Sequence, residues 1–285
     1  MISVAILGAG ELGATLARRL AESGRCRSLV LVDADEGRAK GKALDLLQSG
    51  PVEGYDTRLV GAFSLDGLGA LDALVVADPP DLPVAAPDVA PPESFVKSLA
   101  RATGPGVLLV ASAHGAALVG AAVRAGLARA RVLGSSPLAT AGALRAGLGE
   151  ELQVAARQIE LTVLGLPPDR PILPRGSATV GGLPVERLSP LAERRVLEAV
   201  RRRVPGPVAL AVAAERVLAA VFARATSVLP SFAVLEGEYG HRHAAVAVPC
   251  RLGRGRLQGI VEVALDGVDR TAFDNLAEHA ALAAR

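Results

Sequence analysis

The feature that most limits what this chain can fold into is the stretch ILGAGELG, Ile6 to Gly13. Gly8, Gly10 and Gly13 form a GxGxxG pattern directly after the apolar run SVAIL and at the head of ELGATLARRLAES, where Leu12, Leu16 and Leu20 recur at i, i+4 and i+8 before Gly24. A buried strand therefore runs almost without connection into an amphipathic helix that ends at a glycine. Such a junction uses each glycine differently: the first for the tight turn, the second for close approach of backbone to a ligand, the third for packing of helix on strand.

Further Val- and Leu-rich runs, SLVLVD, ALVVAD, GVLLVAS and ARVLG, follow with helix-like segments between them. Fully apolar strands alternating with helices predict a parallel sheet covered on both faces. The second half changes to longer strand candidates, RQIELTVLG, HAAVAVPC and LQGIVEVAL, the last alternating in part as a half-buried antiparallel strand would. Ser189 and Pro190 read as N-cap and first residue of the arginine-rich helix LAERRVLEAVRRR. Asp78 to Ser94 reads as a stiff, extended proline-rich loop. With 285 residues, 51% of them hydrophobic, the chain can bury more than one core. The expected class is α/β, a doubly wound parallel sheet over residues 1–134 followed by an α+β domain with antiparallel strands over residues 135–285.

The glycine junction points to a dinucleotide. The helix N-terminus offers unpaired N–H groups and a partial positive charge to phosphates. Asp33 closes the next strand, where a carboxylate accepts from the adenosine ribose hydroxyls and repels a 2′-phosphate, so NAD is favoured over NADP. Other partners are disfavoured. The 31 Lys+Arg nearly balance 29 Asp+Glu, which is too even for nucleic acid or an acidic membrane surface, and 2% aromatic residues with no Trp leave little to stack bases on. Cys26 and Cys250 stand far apart with no CxxC and no Cys/His cluster, so neither a disulfide scaffold nor a metal site is expected. No apolar run approaches the roughly 20 residues of a membrane span, and a soluble, unprocessed cytoplasmic protein is expected.

Beyond the glycines, the chain resembles the lactate/malate dehydrogenase family over nearly its whole length. GKALDLLQS, Gly41 to Ser49, looks like the family's helix after the ribose-binding acid; RVLGSSPLATAGALRAGLGEEL, VLGLPPDRPILPRGSATVGGLPV, VLPSFAVLEGEYG and VPCRLGRGRLQGIVEVAL follow in the family's order. The resemblance implies a Rossmann domain followed by a substrate domain, a homodimer or homotetramer built partly on the Gly41 to Ser49 helix, and NAD-linked oxidation of a 2-hydroxy acid. That chemistry needs a histidine to take the hydroxyl proton and an aspartate to orient it. It also needs one arginine to grip the substrate carboxylate, another to polarise the carbonyl, and an asparagine to align the reacting groups.

The chain departs from the family at each of these positions. In the family's pattern Gly-Glu-His-Gly-Asp the histidine falls on Pro167 of GLPPD, leaving Gly165 and Asp169. The orienting aspartate falls on Thr140, the carboxylate-binding arginine on Ala143, and the asparagine on Ala113. The glycine that usually follows the fourth strand reads as Pro79, and no arginine occurs between Arg58 and Arg101 to polarise a carbonyl. None of the family's catalytic set is retained, so a small-molecule substrate of the family's kind is doubtful.

The remaining polar residues include candidates to replace these groups. His114, just past GVLLVAS at the carboxyl edge of the sheet, reads either as a relocated acid/base group or as a loop histidine. Arg145, Arg170 and Arg175 are candidates for an anion, with a solvated or salt-bridged surface role as the alternative, and Asp169 follows the same vacant position. His241 and His243 would share a strand face but lack a third metal ligand, so a hairpin surface is expected; His279 reads as a helix-face residue and Arg201 to Arg203 as a solvated face. Three functional readings stay open. The protein binds nucleotide without the family's catalysis, or it is an oxidoreductase on another small substrate through a site rebuilt near His114, or it is an oligomeric structural protein with an empty cleft.

Overall fold

The structure is a computed structural model that describes residues 1–77, 91–174, 176–184, 191, 198 and 204–282. Strand β1 (Ile2–Leu7) leads through the glycine junction into helix α1 (Glu11–Glu22), followed by β2 (Cys26–Val32), α2 (Glu36–Glu53), β3 (Arg58–Ala62) and β4 (Ala73–Val76). Next come α3 (Glu93–Thr103), β5 (Val107–Val110), α4 (Ala116–Arg124), β6 (Val132–Gly134) and α5 (Ser136–Leu152). The rest comprises β7 (Ile159–Glu160), β8 (Leu164–Leu166), β9 (Arg170–Ile172), β10 (Thr179–Val180), β11 (Leu183–Pro184), α6 (Pro207–Val221), β12 (Ser227–Glu236), β13 (Arg242–Gly253), β14 (Arg256–Ile260) and α7 (Gly267–Leu282).

Strands β1, β4 and β5 form the centre of the parallel part because nothing in them asks for water: every residue of β4 and β5 is buried. The order β3-β2-β1-β4-β5-β6 reverses direction between β1 and β4, which opens a crevice at the carboxyl ends of those strands. The sheet then continues through β12, β13, β8 and β9, with β14 on β13. Phe232 of β12 pairs antiparallel with Gly134, Ala247 of β13 with Phe232, and Gly165 of β8 with Ala247. A small second sheet joins β11, β10 and β7. This is the expected α/β class. Among the described residues no helix is long and apolar enough to cross a membrane.

Local structure follows the residues. Helix α1 buries Leu12, Leu16 and Leu20, and the chain leaves it through Gly24 at φ 64°. Asp35 caps α2 by accepting from the Arg38 N–H, and Gly54 at φ 86° ends it. Strand β3 carries no sequence signal comparable to its neighbours: it is a half-exposed edge strand whose Gly61 lets α2 approach so closely that a Cβ there would stand 2.4 Å from Lys40 N.

Two strand expectations need correction. RQIELTVLG is not one strand: β7 pairs with β10 in the small sheet, β8 pairs with β13 in the large one, and Leu161 to Val163 belong to neither. LQGIVEVAL stops as a strand at Ile260, one residue before the last backbone bond to β13, from the Val261 N–H to Pro249 O at 2.8 Å. The loop residues 78–90 and the helix expected from Ser189 and Pro190 through Arg201 to Arg203 lie outside the described residues, apart from Leu191 and Glu198.

A charged clasp closes the far end of the β12–β13 hairpin. Arg129, just before β6, donates from Nη1 to Glu238 Oε2 at 3.1 Å, its Nη2 donates to the other oxygen, and the Glu236 N–H also donates to Oε2 at 2.8 Å. Burial pushes the Glu238 carboxyl up, but these donors and the guanidinium charge outweigh it and hold it at about 2. An unfolded glutamate titrates at about 4.3, so the contribution to stability is complete above about pH 5 and lost as pH falls through the folded value. The Glu238→Gln variant is therefore expected to lose about 2–3 kcal/mol of unfolding free energy at neutral pH, with the two proteins converging in acid. Urea midpoints measured from neutral pH downward check this, and parallel curves would contradict it.

Candidate functional site

The crevice at the carboxyl ends of β1 and β4 is shaped first by glycine. Gly8 sits at φ 103°, where an L side chain would be strained, and its N–H donates to Val32 O at 2.7 Å. A Cβ at Gly13 would stand 1.8 Å from Gly8 O, so only glycine lets α1 start this close to β1. Gly10 is the N-cap of α1 and supplies no capping side chain, which leaves the first-turn N–H groups for an outside acceptor. This cradle fits a pyrophosphate in shape and in donor chemistry.

Asp33 stands at the end of β2 as expected, but its side chain is fully covered. Oδ2 accepts from the Ala9 N–H in the glycine turn at 2.8 Å, and Oδ1 accepts from the Asp35 N–H at 3.0 Å. Arg38 Nη1 lies 3.6 Å from Oδ1, and its Nη2 3.5 Å from Asp35. The carboxylate thus ties the glycine turn to the start of α2. The sequence offered no sign of this second task.

Hydrogen bonds set the crevice edge across the sheet. Ala77 N–H donates to Leu7 O, Ala111 N–H to Val76 O and Ser135 N–H to Val110 O, so the ends of β1, β4, β5 and β6 lie on one line. Two strand spacings, about 10 Å, separate the glycine turn from the turn after β5 that carries His114. That turn is held by Ser136 Oγ–H donating to Ala113 O at 2.8 Å, and Gly115 is required because a Cβ there would stand 2.8 Å from Val110 Cγ1.

The GLPPD segment reaches the same edge as the β8–β9 hairpin. Gly165 at φ 86° packs so tightly on the returning strand that a Cβ would lie 2.7 Å from Arg170 O. The hairpin tip buries Pro167 and Pro168 and brings Asp169 Oδ2 to 3.0 Å from His114 Nδ1. The His114 side chain is 14% exposed and that of Asp169 41%. His114, Ala116, Leu166, Pro167, Asp169, Arg170 and Phe232 line a half-open hollow of about 30 Å³, room for roughly two waters. Phe232 reaches it by lying over Gly134, where a Cβ would be 2.8 Å from the ring.

The other candidates fall elsewhere. Arg145 pairs with Glu160 at 3.1 Å. Thr140 is buried with its hydroxyl unpartnered among the described residues, and Ala143 carries no polar group. Arg175 lies outside the described residues. His241 is not the hairpin-surface residue expected: Nε2 lies 2.7 Å from Asp274 Oδ1 on α7, its ring meets Phe273 edge-on, and its side chain is 15% exposed. His243 is exposed at φ 62°, off the regular strand geometry that would have put both histidines on one face, and His279 is exposed on α7. Cys26 and Cys250 are free and buried, with burial pushing their thiols up to about 11 and about 12. The sequence reading missed Phe232 as a cleft residue and the pairing of His114 with Asp169; neither has a local signature.

No family model matches the chain. It is 34% identical over 289 residues to malate dehydrogenase of Thermomicrobium roseum, covering 95% of this chain and 93% of that one. It is 32% identical over 293 residues to malate dehydrogenase of Thioalkalivibrio sulfidiphilus, covering 96% and 95%. Among solved structures, malate dehydrogenase from Salinibacter ruber superposes with a TM-score of 0.87 at 26% identity over 99% of this chain and 96% of that one. The minor L-lactate dehydrogenase of Enterococcus mundtii, at 21% identity, shares the fold with a TM-score of 0.86 over 99% and 97%.

Because Asp33 satisfies a backbone donor with each oxygen, Asp33→Asn must turn an amide N–H toward one of them. An unsatisfied buried donor costs about 1–3 kcal/mol. The variant is expected to unfold at lower urea by that amount, and an unchanged midpoint would show that the carboxylate does not hold the glycine turn.

Proposed function

The chain belongs to the lactate/malate dehydrogenase family, and from that premise we propose that it binds NAD in the glycine cradle but does not carry out the family's malate or lactate reaction. Residues 1–134 would hold the nucleotide and residues 135–285 would form the substrate half. Gly8, Gly10 and the first turn of α1 would receive the pyrophosphate, and Gly13 keeps the helix close enough to do so. The carboxylates of Asp33 and Asp35 would repel a 2′-phosphate, and Arg38 is already paired with both, which favours NAD over NADP. When bound, the nicotinamide supplies or accepts hydride; everything else must come from side chains.

The observation that carries the negative half is the buried Pro167 at the position where the family resemblance puts its proton-transferring histidine. Proline has no titratable atom. Thr140 and Ala143 occupy the positions of the orienting aspartate and the carboxylate-binding arginine, and the nearby Arg145 is engaged by Glu160. Loss of a positioned base typically costs about 10²- to 10⁴-fold in rate. A buried substrate carboxylate without its cation costs about 3–5 kcal/mol more.

The same reading makes the protein a homodimer or homotetramer resting partly on α2, whose Leu44 and Leu47 are 54% and 48% exposed. It places the protein in the cytoplasm, without nucleic-acid or membrane partners.

The test is a titration of NADH followed by its own fluorescence, which the absence of Trp leaves uncluttered. Saturable binding is expected, and oxaloacetate or pyruvate then added to the cuvette should leave NADH unoxidised. Failure to bind would favour a structural protein with an empty cleft. Rapid oxidation with either oxo acid would overturn the reading of Pro167.

A further inference from the structure

We propose that the hollow between α1 and α6 binds a small monocarboxylate with an apolar tail, octanoate being of the right kind. It lies at the start of β1 and the end of α1, whereas the glycine turn lies at the end of β1 and the start of α1. The 12 residues of α1 span about 18 Å. The two sites are therefore separate, and occupancy of this one does not require nucleotide at the other.

The hollow has the size and the lining of a ligand site. Its volume is about 440 Å³, within the roughly 300–1,000 Å³ of small-molecule pockets, and it is half open to solvent. Leu20 and Leu218 in its walls are buried, and Ile2 and Phe222 pack partly buried against the same core. Small residues keep it open: Gly24, Ala219 and Ala223 also line it, and a Cβ at Gly24 would meet nothing within 4 Å.

Charge at the rim selects the head group. Glu215 is shared between two cations: its Oε2 accepts from Arg19 Nη2 at 2.9 Å, and Arg25 Nη1 stands 3.6 Å from Oε1, beyond hydrogen-bond reach. Two guanidinium groups against one carboxylate leave one positive charge in excess. Among the described residues the Arg25 guanidinium makes no hydrogen bond, so its donors stay open to a ligand. Arg254 approaches the same wall, its N–H donating to Ala223 O at 2.9 Å, and Arg224 follows Ala223 in the chain. Among the described residues neither of these two side chains has an ion pair or hydrogen bond. The resulting field attracts a carboxylate and repels an ammonium group.

Burial sets the orientation. The Arg25 side chain is 59% exposed, which puts it at the mouth, while Leu20 and Leu218 are covered. The carboxylate pairs with Arg25 at the rim, where a guanidinium fork suits its two oxygens, and the tail runs inward along Leu218 and Phe222.

The experiment is calorimetric titration of the full chain with butanoate, hexanoate and octanoate, with octylammonium and 1-octanol as head-group controls. One saturable site is expected, tightening about two- to fourfold for each methylene added to the tail. Octylammonium should bind about fivefold or more weakly than octanoate. Arg25→Gln, a change at an exposed side chain, should weaken octanoate about two- to fivefold and leave 1-octanol unchanged. Ala219→Phe, which fills the hollow, should abolish binding of both. Thermal unfolding shows whether each variant folds, and sedimentation gives its oligomeric state; if Ala219→Phe does not fold, Arg25→Gln carries the test.

Absence of saturable octanoate binding would overturn the site. Octylammonium binding as tightly as octanoate, or octanoate binding unchanged in Arg25→Gln, would overturn the head-group assignment. Binding unchanged in both variants would put octanoate elsewhere, the dinucleotide cleft included, and overturn the site as well. A wild-type dimer that Ala219→Phe dissociates, with no octanoate bound, would give the hollow to a second copy of this chain and overturn the proposal.

Discussion

One row of backbone pairing positions everything else in this molecule. It runs from Leu7 to Val76, Val110, Gly134, Phe232, Ala247 and Gly165, crossing from the parallel to the antiparallel part of a single sheet. Each pair in the row sets where the next strand ends, because a slip of one residue would turn every side chain to the wrong face and bury polar backbone without a partner. The loops at the carboxyl edge inherit this register. The glycine turn, the turn carrying His114 and the hairpin carrying Asp169 therefore meet along one edge although they come from distant parts of the chain.

Close approach, more than polar contact, gives this edge its shape. Gly13 against Gly8, Gly115 against Val110, Gly134 under Phe232 and Gly165 against Arg170 are all places where a single added carbon would collide. Interiors packed at crystal-like density transmit such collisions to their neighbours. The polar groups then fill what the glycines leave open. Asp33 illustrates the order: at the end of β2 its two oxygens secure the N–H groups of Ala9 and Asp35. A ligand at this edge meets a turn already held in place.

Much of the fold was legible because its signals are local. The glycine junction, the apolar central strands and the first helix each depend on residues within a few positions of one another, and they fold as their spacing predicts. Strand β3 leaves little mark in the sequence because an edge strand half in water needs no apolar run. RQIELTVLG looked continuous because β propensity does not say which sheet a residue joins, and its ends pair with β10 and β13 in different sheets. His241 looked like hairpin surface because nothing near it in sequence announces α7, which covers it with Asp274 and Phe273.

By itself the sequence determined the strand-turn-helix junction, the acid at position 33, and a proline at position 167 where no proton can be carried. These are properties of residue type and short spacing, and no folding can add a titratable atom to proline or a Cβ to glycine. Only the tertiary structure decided that Arg145 is engaged by Glu160, that Asp33 faces inward, and that His114 stands against Asp169. Those outcomes depend on which strands lie side by side and in what register. That is settled by burial and hydrogen bonding across the whole sheet, to which no short stretch of chain has access.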